Sequence, residues 1–202
     1  MSDRNAALRR ELEILGDRHD AGTAVHDQRL LNITPETGAF LAVLVRACRA
    51  QRILEIGTSN GYSTLWLAEA AHATGGEVTT VEHRPAKAAL ARATFARATA
   101  LSAIHLKEGD GGDVLATAAV GAYDFIFLDA DRSRYVGWWP ALRRSLSDGG
   151  LLVVDNAVSH ASEVAAFVAA VGADAAFTSV LVPIGKGEFV ACKDDGVRRT
   201  VS

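Results

Sequence analysis

The sequence predicts an α/β fold, with a mostly parallel seven-stranded sheet covered by helices on both faces and closed by a C-terminal antiparallel hairpin. Three observations predict it. Short apolar runs alternate with helix-patterned segments, the signature of a parallel sheet covered on both faces. Four runs carry an acid at or beside their carboxyl end, Glu55, Glu82, Asp129 and Asp155, where ligands bind in open sheets of this kind. The last two runs are joined only by Pro183-Ile184-Gly185-Lys186-Gly187, which is too short for a crossover and implies an antiparallel pair.

The elements follow in order. Leu8, Leu12 and Leu15 recur at helical spacing between charges, predicting an amphipathic helix over residues 5–16 that needs a partner surface in this domain or a second subunit. Residues 17–32 are polar and aperiodic and are expected to form a loop or lid. Thr34 reads as an N-cap and Pro35 as the first turn of a helix that buries Phe40, Leu41, Leu44, Val45 and Cys48. The first strand is 53–56, followed by a glycine turn and a helix from Tyr62. Gly75-Gly76 leads into a strand over 77–82, and Pro85 opens an alanine-rich helix to about 100. A strand at 104–106, a helix to about 119 and a strand over 123–129 come next. The helix holding Trp138, Trp139 and Leu142 is expected to break near Pro140 and to be closed by Gly149-Gly150. Trp66 is expected in the core, and one of Trp138 and Trp139 to be covered by a second subunit. A strand at 151–154, a helix over 162–171 and the strands 178–182 and 188–192 complete the chain.

The 202 residues suit a single domain, with 1–33 as its N-terminal helix and lid segment. Hydrophobic residues make up 49% and charged residues 22%, with a net charge of −3 and no basic block, so no electrostatic footprint for nucleic acid or an anionic membrane is expected. Cys48 and Cys192 stand far apart in apolar contexts and read as reduced core thiols of a cytoplasmic protein. The N-terminal stretch is charged, unlike a signal peptide, and no run reaches membrane-spanning length.

The chemistry gathers at the strand ends. Glu55-Ile56-Gly57-Thr58-Ser59-Asn60-Gly61-Tyr62-Ser63 is a strand end, a turn and a helix start. Its glycines permit a sharp turn and close approach of a ligand, and the following helix aims free N–H groups at it. The spacing Gly-x-x-x-Gly departs from the dinucleotide fingerprint, and an acid at Glu55 suits a ligand carrying positive charge, such as S-adenosylmethionine. A purely structural turn is the alternative. Glu82, twenty-five residues after Gly57, can accept both ribose hydroxyls of that cofactor or of NAD. Asp110, between Gly109 and Gly111, can accept an adenine amino group or simply form the turn. Asp129, Asp155 and Asn156 offer two carboxylates and an amide, a donor set for a hard cation such as Mg²⁺; capping of the next turn by Asp155-Asn156 is the alternative.

Residues 55–63, Phe127-Leu128-Asp129-Ala130-Asp131-Arg132-Ser133-Arg134-Tyr135 and Val154-Asp155-Asn156 together resemble the cation-dependent O-methyltransferases, the family of catechol and caffeoyl-CoA O-methyltransferases. The likeness runs from about Leu31 to Lys193 and includes the Pro-Ile-Gly-Lys-Gly hairpin. It implies a Rossmann-like class I methyltransferase that moves a methyl group from S-adenosylmethionine to a small hydroxylated acceptor such as a catechol. By the same resemblance Glu55, Gly57, Gly61, Tyr62 and Ser63 line the methionine end with Asp129, and Glu82 holds the ribose. His83, Asp110 and Gly111 flank the adenine, and Ile33 covers the cofactor. Asp129, Asp155 and Asn156 bind a divalent cation, Mg²⁺ by expectation, and the protein is a homodimer.

One position departs from the family pattern. Where the family carries a lysine as base, three residues after the metal-binding Asp, this sequence has Arg132, which can stabilise a phenolate but hardly accept its proton. His160, with His26 behind it, is the candidate for that proton. Three other readings stay open: a metal-independent methyltransferase, an NAD-dependent oxidoreductase, and a non-catalytic protein that binds S-adenosylmethionine.

Overall fold

The computed structural model describes residues 3–25, 28–99 and 103–195. Its seven strands are β1 (Arg52–Ile56), β2 (Glu77–Glu82), β3 (Ile104–Glu108), β4 (Tyr123–Leu128), β5 (Leu146–Val154), β6 (Phe177–Val182) and β7 (Glu188–Lys193). They form one sheet in the order β3-β2-β1-β4-β5-β7-β6. The first five are parallel, and β7 runs antiparallel to both β5 and β6. The order reverses between β1 and β4, which opens a crevice beyond their carboxyl ends.

Seven helices cover the sheet: α1 (Asp3–Gly22), α2 (Pro35–Ala47), α3 (Tyr62–Thr74), α4 (Pro85–Arg97), α5 (Gly111–Thr117), α6 (Tyr135–Ser145) and α7 (Ala161–Gly172). Alternating strand side chains divide the core. Ile53, Phe125, Phe127 and Val153 pack with α1, α2 and α3, while Leu54, Ile56, Ile126, Leu128 and Val154 pack with α5, α6 and α7. Both faces are apolar because both are covered. Thr34 caps α2 by accepting the Thr37 N–H, with Pro35 in the first turn, as the sequence predicts.

Several expectations are corrected. The first helix does not end near Gly16 but runs to Gly22, because polar residues 17–21 continue a helix whose outer side faces water. Its buried face is Asn5, Leu8, Arg9 and Leu12, and Leu15 is exposed. Its partner is α3 of the same chain: Arg9 pairs with the buried Glu69 and lies 4.0 Å over the Trp66 ring. Helix α6 runs through Pro140, since Tyr135 and Leu142 anchor it on the core to either side. It ends at Ser145, and the Gly149-Gly150 pair lies inside β5, at a register shift against β4. Trp138 and Trp139 both find partners within the chain, Trp138 on Tyr135 and Trp139 on Phe167 and Phe177. Cys48 is exposed and Cys192 half-buried, both free, so neither is a core thiol; Cys48 follows the last turn of α2, beyond its buried stripe. Among the described residues no helix is long and apolar enough to cross a membrane.

Candidate active site

The site follows from register. Ile56 pairs with Leu128 and Leu128 with Val154. One residue further, the Asp129 N–H donates to Ile56 O and the Asp155 N–H to Leu128 O, each at 3.0 Å. Gly57, Asp129 and Asp155 therefore stand side by side where the paired strands end. Gly57 has φ +111°, and a Cβ there would overlap the Asp129 carbonyl oxygen, so only glycine lets the two strand ends close up.

Glu55 lies beneath this turn, not on a cavity wall. Its carboxylate is fully buried and accepts from the hydroxyls of Ser63 (2.5 Å), Thr80 (2.6 Å) and Thr64. It thus ties the turn, the start of α3 and β2 together. Burial pushes its pKa up to about 7 despite the three donors. Gly61, at φ +86°, is the N-cap of α3, and a Cβ would come 2.6 Å from the Phe95 ring; its demand is packing against α4. Tyr62 is buried and donates its hydroxyl to Glu13 at 2.6 Å. Tyr62, Ser63 and Ile33 meet at a recess of about 10 Å³ beside the turn.

The main cavity, of about 450 Å³, lies outside Gly57 and is lined by Glu82, His83, Asp129 and Arg132 among others. Glu82, at the tip of β2, accepts the Ser59 N–H at 2.8 Å and the Arg84 N–H at 2.9 Å. A smaller recess of about 90 Å³ adjoins it, lined by Ile56, Gly57, His83, Asp110, Gly111 and Trp138. There Asp110 caps α5 by accepting the Gly112 N–H at 2.7 Å and pairs with Arg134 at 3.0 Å. Both readings of Asp110 are compatible with this position: it forms the turn and it faces a recess.

Asp129, Asp155 and Asn156 come together. The Asn156 amide nitrogen donates to Asp155 Oδ2 at 2.7 Å and reaches Asp129 Oδ1 at 3.4 Å, from a left-handed backbone with φ +65°. Burial, and then the charge of Asp155, push Asp129 well above the usual carboxylate range. Asp155 is 2% exposed, and its Oδ1 is buried without a hydrogen-bond donor. Among the described residues no group of three or more His, Cys, Asp or Glu side chains is arranged as a metal cage.

Arg132 lines the main cavity and donates from Nε to Glu163 Oε2 at 2.8 Å. His160 does not line it; its Nδ1 lies 2.9 Å from Ser159 Oγ, in the turn entering α7. His26 lies outside the described residues.

Four further residues contribute; Glu163, Lys87 and Leu30 carry no signal in the sequence, while Tyr135 closes the motif over residues 127–135. Glu163, in the first turn of α7, reaches the cavity only because the fold brings α7 over Arg132. Lys87 lines the cavity, with burial lowering its pKa against the pull of Glu82. Tyr135 is fully buried, accepts the Ala130 N–H at 2.7 Å and donates to Ala130 O at 3.1 Å, fixing the turn after Asp129. Leu30 covers the glycine turn: its carbonyl accepts from Ser59 Oγ at 2.7 Å, and its N–H donates to Asp20 at 2.6 Å.

The sequence profile of a family described as O-methyltransferase matches residues 9–191. A catechol O-methyltransferase of Mycobacterium tuberculosis is 37% identical over 126 residues, 62% of this chain and 57% of that protein. A catechol O-methyltransferase of Niastella koreensis is 35% identical over 131 residues, 63% of this chain and 59% of that protein. The chain thus spans less than two thirds of the length of these relatives. The O-methyltransferase from Bacillus cereus, solved in complex with SAH, superposes with a TM-score of 0.75 at 25% identity, covering 93% of this chain and 91% of that one.

Proposed function

The chain belongs to the O-methyltransferase family, and on that premise we propose that it transfers a methyl group from S-adenosylmethionine to a hydroxyl of a small, catechol-like acceptor, with a divalent cation at the acidic strand ends. The observation that carries this reading is the adjacency of Gly57 and Asp129, a glycine turn and an acidic group on one cavity wall. S-adenosylmethionine supplies an electrophilic methyl group. Glu82 offers a carboxylate for the ribose, His83, Asp110 and Gly111 line the recess that suits the adenine, and Leu30 closes the turn from above. Positioning is the main task in such an in-line displacement.

The chain's donors fit a cation. Asp155 stands close enough to Asp129 to add to the burial that raises the Asp129 pKa, and Asp155 Oδ1 is buried. Asp129, Asp155 and Asn156 would hold it, and bound there it would orient vicinal hydroxyls and make the attacking one more acidic. Carbon–oxygen bond formation accompanies carbon–sulfur cleavage, the sulfur keeps the electron pair, and the hydroxyl proton leaves to water in the cavity. Arg132 stays protonated and stabilises the phenolate. Exposed Ile14 and Leu15 on α1 support the further reading that the chain pairs as a homodimer. A metal-independent transferase is favoured by one observation: the Asn156 amide nitrogen already sits between the two carboxylates.

The test is incubation with S-adenosylmethionine, catechol and Mg²⁺, with O-methylcatechol read by mass spectrometry. Product supports the reading. Tight cofactor binding without product from any hydroxylated acceptor would leave a binding protein instead. Arg132→Lys separates a missing base, which it would rescue, from a wrong acceptor.

A further inference from the structure

Lys87 lines the main cavity together with Glu82, and the function proposed above gives it no task. It stands in the first turn of α4, just after Pro85, where the helix dipole disfavours a cation. Its side chain is half-buried, and burial lowers its pKa. No structural partner offsets that cost. Glu82 already accepts the Ser59 and Arg84 N–H groups, Asp20 accepts those of Leu30 and Leu31, and Asp129 faces Asn156. Among the described residues none makes a hydrogen bond or an ion pair with the Lys87 ammonium. A side chain that breaks a local rule with no partner in the fold is expected where a ligand binds.

Of the charges around it, Glu82 acts on Lys87 most strongly, yet the two do not close into an ion pair. The Glu82 carboxylate is fixed in place: Oε2 accepts the Ser59 N–H at 2.8 Å and Oε1 the Arg84 N–H at 2.9 Å. Each oxygen keeps a lone pair for a further donor. A pair of adjacent hydroxyls can fill both. A carboxylate only accepts, however, so the hydroxyl oxygens still need a donor of their own, and an ammonium is a donor only. Other donors along this cavity are engaged. The Ser59 hydroxyl donates to Leu30 O at 2.7 Å, Arg84 Nε is turned to His83 Nε2 at 3.2 Å, and Arg132 Nε donates to Glu163.

We propose that Lys87 is a cofactor-binding residue that donates to the ribose hydroxyls of S-adenosylmethionine while Glu82 accepts from them, the two side chains bracketing the diol across the cavity. The inference rests on the cofactor reading above and adds the donor half of the ribose site. It explains why an unpaired cation is kept at the positive end of α4.

The test is calorimetric binding of S-adenosylhomocysteine, and of its 2′,3′-dideoxy analogue, to the full chain and to Lys87→Met. Methionine keeps an unbranched apolar stem and removes the ammonium. The expected result is S-adenosylhomocysteine affinity weakened about ten- to hundredfold in Lys87→Met. Affinity for the dideoxy analogue, which has no hydroxyls to bracket, should match that of the unmodified chain. The melting temperature without ligand should hold or rise, since a cation leaves the helix N-terminus. Lys87→Gln serves if the Met variant does not fold, with the same split between the two ligands expected. Unchanged S-adenosylhomocysteine affinity in a folded variant, or an equal loss for both ligands, would overturn this inference alone. Absence of S-adenosylhomocysteine binding by the unmodified chain would overturn the cofactor reading with it.

Discussion

A carboxyl buried among three hydroxyls, as Glu55 is, carries a measurable pH signature. Its folded-state pKa of about 7 lies above the ordinary 4.5. Between those values the folded chain keeps a proton that the unfolded chain has released. Stability from this group is therefore complete below about pH 4.5, declines as pH rises, and is lost above about pH 7. The full swing is on the order of 3 kcal/mol at most. Urea melts across this range should show a steeper decline for the unmodified chain than for Glu55→Gln, and parallel curves would contradict the account. Gly57→Ala tests the turn itself. With φ at +111° and the Asp129 carbonyl where a Cβ would go, it should cost about 2 kcal/mol or more and abolish S-adenosylmethionine binding by calorimetry.

At the scale of elements, α1 and the turn after β4 make separate predictions. Arg9 is 2% exposed and pairs with the 8%-exposed Glu69 of α3, so Arg9→Ala takes an ion-pair partner away from a buried carboxylate. A loss of about 3–5 kcal/mol follows, with cleavage of α1 under limited proteolysis as the check. Tyr135→Phe removes the hydroxyl that both accepts from and donates to Ala130. It should cost about 1–3 kcal/mol and loosen Asp129, read as weaker cation binding. Elements were legible in the sequence where a local rule governs them. Thr34-Pro35 gave the start of α2, the glycine turn gave the start of α3, and the five-residue connection gave the β6–β7 hairpin. Rules failed where tertiary packing overrides local preference. Helix α6 passes Pro140 because the core holds it on both sides, and β5 takes in Gly149-Gly150 because Leu146 already pairs with Tyr123. The exposure of Leu15 and Cys48 was hidden for the opposite reason: apolar residues at nearly the right spacing need not lie on the packed stripe.

For the whole molecule, the mostly parallel sheet with its closing hairpin was predictable, because strand-helix alternation and acid-tipped strands are written along the chain; the methyltransferase class came from the likeness of residues 55–63, 127–135 and 154–156 to that family. Adjacent placement of Gly57, Asp129 and Asp155 needs only the sheet order and register. The groups that join the site from elsewhere were not legible. Glu163 arrives on α7, Lys87 on α4, and Leu30 folds over the turn from the N-terminal side. None belongs to a motif, and each depends on the finished fold. Sheet order also brings the glycine turn and Asp129 onto one cavity, with Asp155 buried behind it, so on the proposed reading activity should require both cofactor and cation. The most direct measurement is methyl transfer from labelled S-adenosylmethionine to catechol in Mg²⁺, after removal of Mg²⁺ by excess EDTA, and after its restoration, with Asp155→Ala beside the unmodified chain. The account predicts turnover that EDTA abolishes and Mg²⁺ restores, and that Asp155→Ala lacks throughout. Turnover indifferent to EDTA and to Asp155→Ala would contradict it.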